Sequence, residues 1–199
     1  MLFSVSLCLC GPSQALCVTN IMTTNVERYW NQYLISIPGG QKQPSHYVES
    51  FAFGFTPADA REIAQLVLSG TKTATGSVLW SYDADKKPLP IVGDLWIVIA
   101  GSDAPVCIIE TTEVRIIPFD EVTADYAWEG GEGDRRLESW REIYWEYIER
   151  ECQRIGFEPN TRAPLVMERF RVVYAEPLRL GGDDHDTPTL RGAEGNSPI

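Results

Sequence analysis

Three side chains have the types from which nucleophilic or acid–base chemistry is built. Lys72 and Thr75 stand three apart in Gly70-Thr71-Lys72-Thr73-Ala74-Thr75-Gly76-Ser77, and Glu110 lies inside the apolar run PVCIIETTEV. A threonine hydroxyl is a nucleophile only when a base removes its proton. A lysine can be that base only if burial or a neighbouring cation lowers its pKa; as an ammonium it can instead stabilise an oxyanion. A plainer reading of the first segment is a glycine helix cap followed by an exposed strand start, with Lys72 solvated near the helix end. It is not a phosphate-binding P-loop, which needs GxxxxGK[ST] after a strand and before a helix; here the order is reversed. If the run around Glu110 alternates, Cys107, Ile109 and Thr111 face one way and Ile108, Glu110 and Thr112 the other. A carboxylate on a buried face is costly unless paired, and Lys72 is the partner expected for Glu110. A further candidate is the acidic glycine-rich loop GEGDR, 131–135, whose plain reading is a capped loop before a helix.

These residues need elements to position them. Val26, Tyr29, Trp30, Tyr33 and Leu34 have helical spacing over 25–35, ended by Pro38-Gly39-Gly40. Thr56-Pro57 opens a second helix with Ala60, Ile63, Ala64, Val67 and Leu68 as its buried stripe and Gly70 as its C-terminal glycine. Strands are expected at 73–80, 95–100, 105–118 and 168–174, rich in Val, Ile and Thr. A short helix is expected near 120–127. Asp134 can cap a long helix carrying Leu137, Trp140, Ile143, Tyr144, Tyr147 and Ile148, closed by Gly156. Helices and strands mix without a βαβ beat, so a single α+β domain built on a small mixed β-barrel is expected rather than a doubly wound sheet.

The blocks GTKTATGSVLW, VGDLWIVI, PVCIIETTEVRIIPFDEV, EGGEGDRRLESWREIYWEYI and ERFRVVY, in that order, resemble an ASCH domain of the PUA-like superfamily, specifically its YhfF-like bacterial subgroup. The resemblance covers roughly 49–175. It implies a PUA-like β-barrel flanked by helices, with a nucleoside or short single-stranded RNA as ligand in a cleft beside the barrel. Two activities follow from it: an amidohydrolase acting on N4-acetylcytidine, or a ribonuclease. A non-catalytic RNA- or nucleotide-binding module is the alternative. The amidohydrolase branch carries Lys-x-x-Thr plus a Glu in the later strand, which places catalytic roles on Lys72, Thr75 and Glu110. Glu110 would orient the lysine or shuttle a proton to the leaving amine. Where that branch has an Arg two residues after its Thr, this chain has Ser77; where close relatives often have a His in the long helix, it has Tyr144. Ser77, Trp80, Tyr82, Asp134, Arg135 and Arg169 are the substrate-binding candidates, with Trp80 and Tyr82 as stacking platforms. Arg136 and Arg162 could join Lys72 in a basic groove.

Charge bears on the ligand. The chain carries 17 Lys+Arg and 28 Asp+Glu, a net of -11. Within 47–175 we count 13 against 22, a net of -9. Most of such a surface repels long RNA, which favours a small ligand, and the surface around Lys72 is then expected to be locally positive. The two histidines, His46 and His185, lie outside every motif, so neither a Ser-His-Asp triad nor a metal-ligating set is expected. No cofactor is expected, although the ribonuclease reading leaves room for a divalent metal. There is no CxxC pair, and Cys107 reads as a small core residue of a reduced, cytoplasmic chain. No apolar run is long enough to span a bilayer as a helix, so a membrane partner is not expected.

Residues 1–21 hold no charge and lack the basic start of a secretory signal; they are expected to be an extension outside the domain, with Met22 as the true start. A helix and linker occupy 22–46, the domain 47–175, and a Gly-, Pro- and Asp-rich disordered tail 181–199.

Overall fold

The computed structural model describes residues 24–100 and 104–176. The expectations for 1–21, Met22 and 181–199 lie outside the described residues. Helix α1 (Asn25–Ser36) is started by a capping box in which Thr24 and Glu27 satisfy each other's backbone amides, and α2 (Pro57–Leu68) by the same device in Thr56 and Asp59. Five strands follow the chain as β1 (Ser50–Phe51), β2 (Ala74–Val78), β3 (Leu95–Ile99), β4 (Pro105–Pro118) and β5 (Pro164–Ala175). Between them lie α3 (Leu79–Asp85), α4 (Ala124–Gly130) and the long α5 (Leu137–Ile155).

The strands form one sheet in the order β1-β3-β4-β5-β2, antiparallel except for β1 against β3. The domain is α+β, but its sheet is open, not the closed barrel expected. The outer strands are too unequal to close it: β1 contributes two residues and β2 five, and they pair only inward. Three apolar clusters hold the layers together. Tyr29 and Trp30 of α1 pack on Leu95, Ile97 and Ile108. Ala64 and Val67 of α2 pack on Val98, Cys107, Ile109 and Phe170. Trp140, Tyr144 and Ile148 of α5 pack with Tyr126 and Ala127 of α4 over Ala74, Val78, Leu165 and Met167. Cys107 is fully buried, as a small core residue should be.

Three elements depart from the sequence reading, the first being β1, where no strand was expected. The strand expected to run through 80 stops at Val78, and LWSYDAD coils into α3. The last strand begins at Pro164 rather than 168 and pairs with β4 along nearly its whole length.

Candidate active site

The path to the site starts at the end of α2. Gly70 takes a left-handed φ of 72°, and the amides of Thr71 and Lys72 both donate to Leu66 O at 2.9 Å. The chain thus wraps the helix end, and Lys72 enters the molecule instead of solvent: it is 1% exposed. Its ammonium donates to Gly130 O at 3.1 Å, at the C-terminal end of α4, and to Glu132 Oε1 at 2.6 Å. The Phe53 ring lies 5.3 Å away and offers its face to the same charge. The loop can come this close because residue 131 is glycine. Gly131 has φ 75°, and a Cβ there would stand 2.8 Å from Thr71 O and 2.9 Å from Lys72 Cα.

Lys72 and Glu132 form one wall of a cavity of about 390 Å³. The cavity occupies the gap between the two sheet edges, with residues 49–55 around β1 on one side and Thr75, Gly76 and Ser77 of β2 on the other. Its walls are strongly aromatic, including Phe51, Phe53, Tyr82, Trp96, Tyr144 and Tyr147. Burial pushes the Tyr82 and Tyr147 phenols up to about 12 and raises Tyr144 further, so all three keep their protons at neutral pH. The Ser81 hydroxyl is buried in the wall without a hydrogen-bond partner among the described residues. A cavity of this size, mostly apolar with a few convergent polar groups, is the form of a small-molecule site.

Of the residues singled out from sequence, Lys72, Thr75, Ser77 and Tyr82 line this cavity. Glu110 does not. It sits opposite Leu95 on the sheet face that α1 covers, and accepts from Nε and Nη2 of Arg171 at 3.0 and 2.6 Å. Alternation is the reason: Ile109 and Thr111 face the cavity, so the residue between them must face away. Trp80 stacks on Phe157 with ring centroids 4.9 Å apart and packs against the α5 core. Asp134 accepts from the Arg136 amide and the Ser139 hydroxyl ahead of α5.

The basic groove does not form. Arg135 lies over the Trp128 ring at 3.7 Å and donates to Trp128 O. Arg169 is held between Glu113 and Glu129, while Arg136 and Arg162 pair with Asp134 and Glu121. The lining holds five carboxylates (Glu49, Asp85, Glu132, Glu151 and Glu168) against Lys72 and Lys87, so the surroundings of Lys72 are not positive as expected.

Two acidic residues escaped the sequence reading. Glu132 belonged to the GEGDR loop, 60 positions from Lys72, and no local pattern tied the two together. Glu168, at the head of the final strand block, is 8% exposed and stands directly across from Thr75 on the neighbouring strand. Desolvation raises its carboxyl to about 7, only partly opposed by the Thr111 hydroxyl that donates to Oε2 at 3.1 Å. Among the described residues no group of three or more His, Cys, Asp or Glu is arranged to hold a metal ion, and no helix is long and apolar enough to cross a membrane.

The open mixed sheet with its flanking helices matches a known architecture. The ASCH domain family model matches residues 49–174, and the chain belongs to that family. The crystal structure of an ASCH domain from Lactobacillus crispatus JV V101 is 32% identical, covering 75% of this chain and 94% of that one, with a TM-score of 0.70. A protein of known structure from Enterococcus faecalis V583 is 30% identical over 75% of this chain and 88% of its own, with a TM-score of 0.66. Among curated proteins none matches the chain.

Proposed function

We propose that the cavity binds a nucleoside and cleaves an acyl group from its exocyclic amine, as in N4-acetylcytidine, with Lys72, Thr75 and Glu132 carrying the chemistry. The observation behind this reading is the buried Lys72 ammonium, 2.6 Å from Glu132 and lining the same cavity as Thr75. The Lys72 ammonium, held by the Glu132 carboxylate and Gly130 O, is placed to stabilise an oxyanion rather than to take a proton. The base role falls to Glu132. In the proposed reaction Thr75 Oγ attacks the acyl carbonyl and its proton passes to Glu132. Lys72 stabilises the oxyanion. The carbon–nitrogen bond breaks, the amine leaves with a proton, and water hydrolyses the threonine ester to release the carboxylic acid.

The ribonuclease reading draws less support, because a cavity with five carboxylates repels a phosphodiester. A binding module for a nucleoside or short single-stranded RNA is supported by the aromatic walls alone and stands as the second reading. The free, buried Cys107 and Cys152 suit a reducing compartment, and we place the protein in the cytoplasm. Purified protein should release cytidine from N4-acetylcytidine, and Thr75→Ala should slow this by roughly 100-fold or more. Tight nucleoside binding without release of acid would leave the binding module in its place.

A further inference from the structure

Glu168 has no part in the Lys72–Glu132 chemistry. It is a buried carboxyl on the cavity wall with no ion-pair partner among the described residues. Among the described residues its side chain makes one hydrogen bond, in a chain that starts from an obligate donor. The Trp96 indole N–H, which can only donate, gives its proton to Thr111 Oγ1 at 3.0 Å. With the carboxyl ionised, the Thr111 hydroxyl donates onward to Glu168 Oε2, at 3.1 Å. Oε2 is committed as an acceptor, and Oε1 is left for whatever fills the cavity. Thr75 lies directly across the β2–β5 ladder, so the group that meets Oε1 is close to the atom Thr75 would attack.

We infer that Glu168 is the specificity-determining residue of this site: Oε1 accepts the exocyclic N–H of an amino- or acylamino-pyrimidine and so selects a cytosine-type edge over a uracil-type edge. A carboxylate is the side chain suited to the amino donor of cytosine, whereas uracil presents a carbonyl there and leaves two acceptors face to face. The inference rests on the nucleoside reading of the cavity and deepens it.

Glu168→Gln makes a directional test. With Thr111 still donating, the glutamine carbonyl takes the Oε2 place and its NH2 takes the Oε1 place, turning an acceptor toward the ligand into a donor. Calorimetry with cytidine and uridine, at pH 8, should show the wild-type protein binding cytidine at least tenfold more tightly. In Glu168→Gln that preference should vanish or reverse, and in Thr111→Val, which frees the carboxylate to turn, it should shrink. An unchanged cytidine-to-uridine ratio in Glu168→Gln, or a wild-type protein that prefers uridine or binds neither nucleoside, overturns the inference. The outcome is separate from that for hydrolysis. Discrimination lost in Glu168→Gln by a protein that never cleaves N4-acetylcytidine supports the inference and removes the hydrolase. Cleavage with discrimination intact in Glu168→Gln does the reverse.

Discussion

Two carboxyl groups that line the cavity have opposite surroundings. Glu132 faces an ammonium, and Glu168 faces an apolar wall and a single hydroxyl. The raised carboxyl of Glu168 has a consequence for stability. The folded state binds its proton more tightly than the unfolded chain, so ionisation costs nothing below pH 4.5, increasingly more up to about 7, and a constant amount above. The full cost is about 3 kcal/mol. Glu168→Gln removes an ionisation that the folded state resists, so its melting temperature should exceed the wild type's at pH 8 and converge with it at pH 5; thermal denaturation at the two pH values reads this. A difference that does not grow with pH would show the carboxyl to be solvated. Lys72 behaves differently. Lys72→Ala strips Glu132 and Gly130 O of their donor, and a broken buried pair costs about 3–5 kcal/mol. That variant should unfold earlier in urea, so it is a poor probe of chemistry, whereas Thr75→Ala should leave the midpoint nearly in place. Lys72 and Thr75 were legible in the sequence because both lie in one short segment between a helix cap and a strand. Their acidic partner was not, since a carboxylate 60 residues away reaches Lys72 only through the tertiary fold, and strand parity pointed to Glu110 without revealing which face was which.

At the scale of elements, the loop between α4 and α5 holds the site together. Gly131 combines a left-handed backbone with a close approach to Lys72 that any Cβ would obstruct at 2.8 Å. Gly131→Ala should force Glu132 away from the ammonium. It should lower the melting temperature and reduce turnover together, in contrast to Gly133→Ala, where the nearest side-chain atom is 3.5 Å away and the strain is that of the backbone alone. Equal effects of the two substitutions would show that the close contact is immaterial. The helices α1, α2 and α5 were readable from apolar spacing and caps, and β4 from its long apolar run. The α3 helix was hidden because LWSYDAD continues the β-prone ATGSV without a breaker, and β1 because two residues hold no period. The closed barrel failed for a related reason: closure depends on how far two edge strands extend, and nothing local in the sequence records that.

For the whole molecule, charge decides which ligands can enter. The net of -11 is distributed so that the cavity carries it too, with five carboxylates and two lysines. Lys87 is already bonded to Glu49 at 2.9 Å, and Lys72 to Glu132. Both lining lysines already face carboxylates, so neither leaves the cavity a net positive charge for a phosphate. Cytidine should therefore bind more tightly than its 5′-monophosphate at low ionic strength, and the gap should narrow as salt screens the repulsion. Calorimetry of both ligands across a salt series measures this; a monophosphate that binds more tightly at low salt would point to an anion site among residues given no such role here.

The proposed reaction makes Glu132, and not Glu110, the carboxylate partner of Lys72 and Thr75. Its most direct measurement is the rate of cytidine release from N4-acetylcytidine by the wild-type protein, Glu132→Gln and Glu110→Gln, each shown by circular dichroism to be folded at the assay temperature. Loss of a general base costs roughly 100- to 10,000-fold, so Glu132→Gln should fall by that much, while Glu110→Gln, which disturbs only a pair with Arg171 on the far face of the sheet, should stay within about twofold. Wild-type turnover that survives Glu132→Gln and collapses in Glu110→Gln would contradict it.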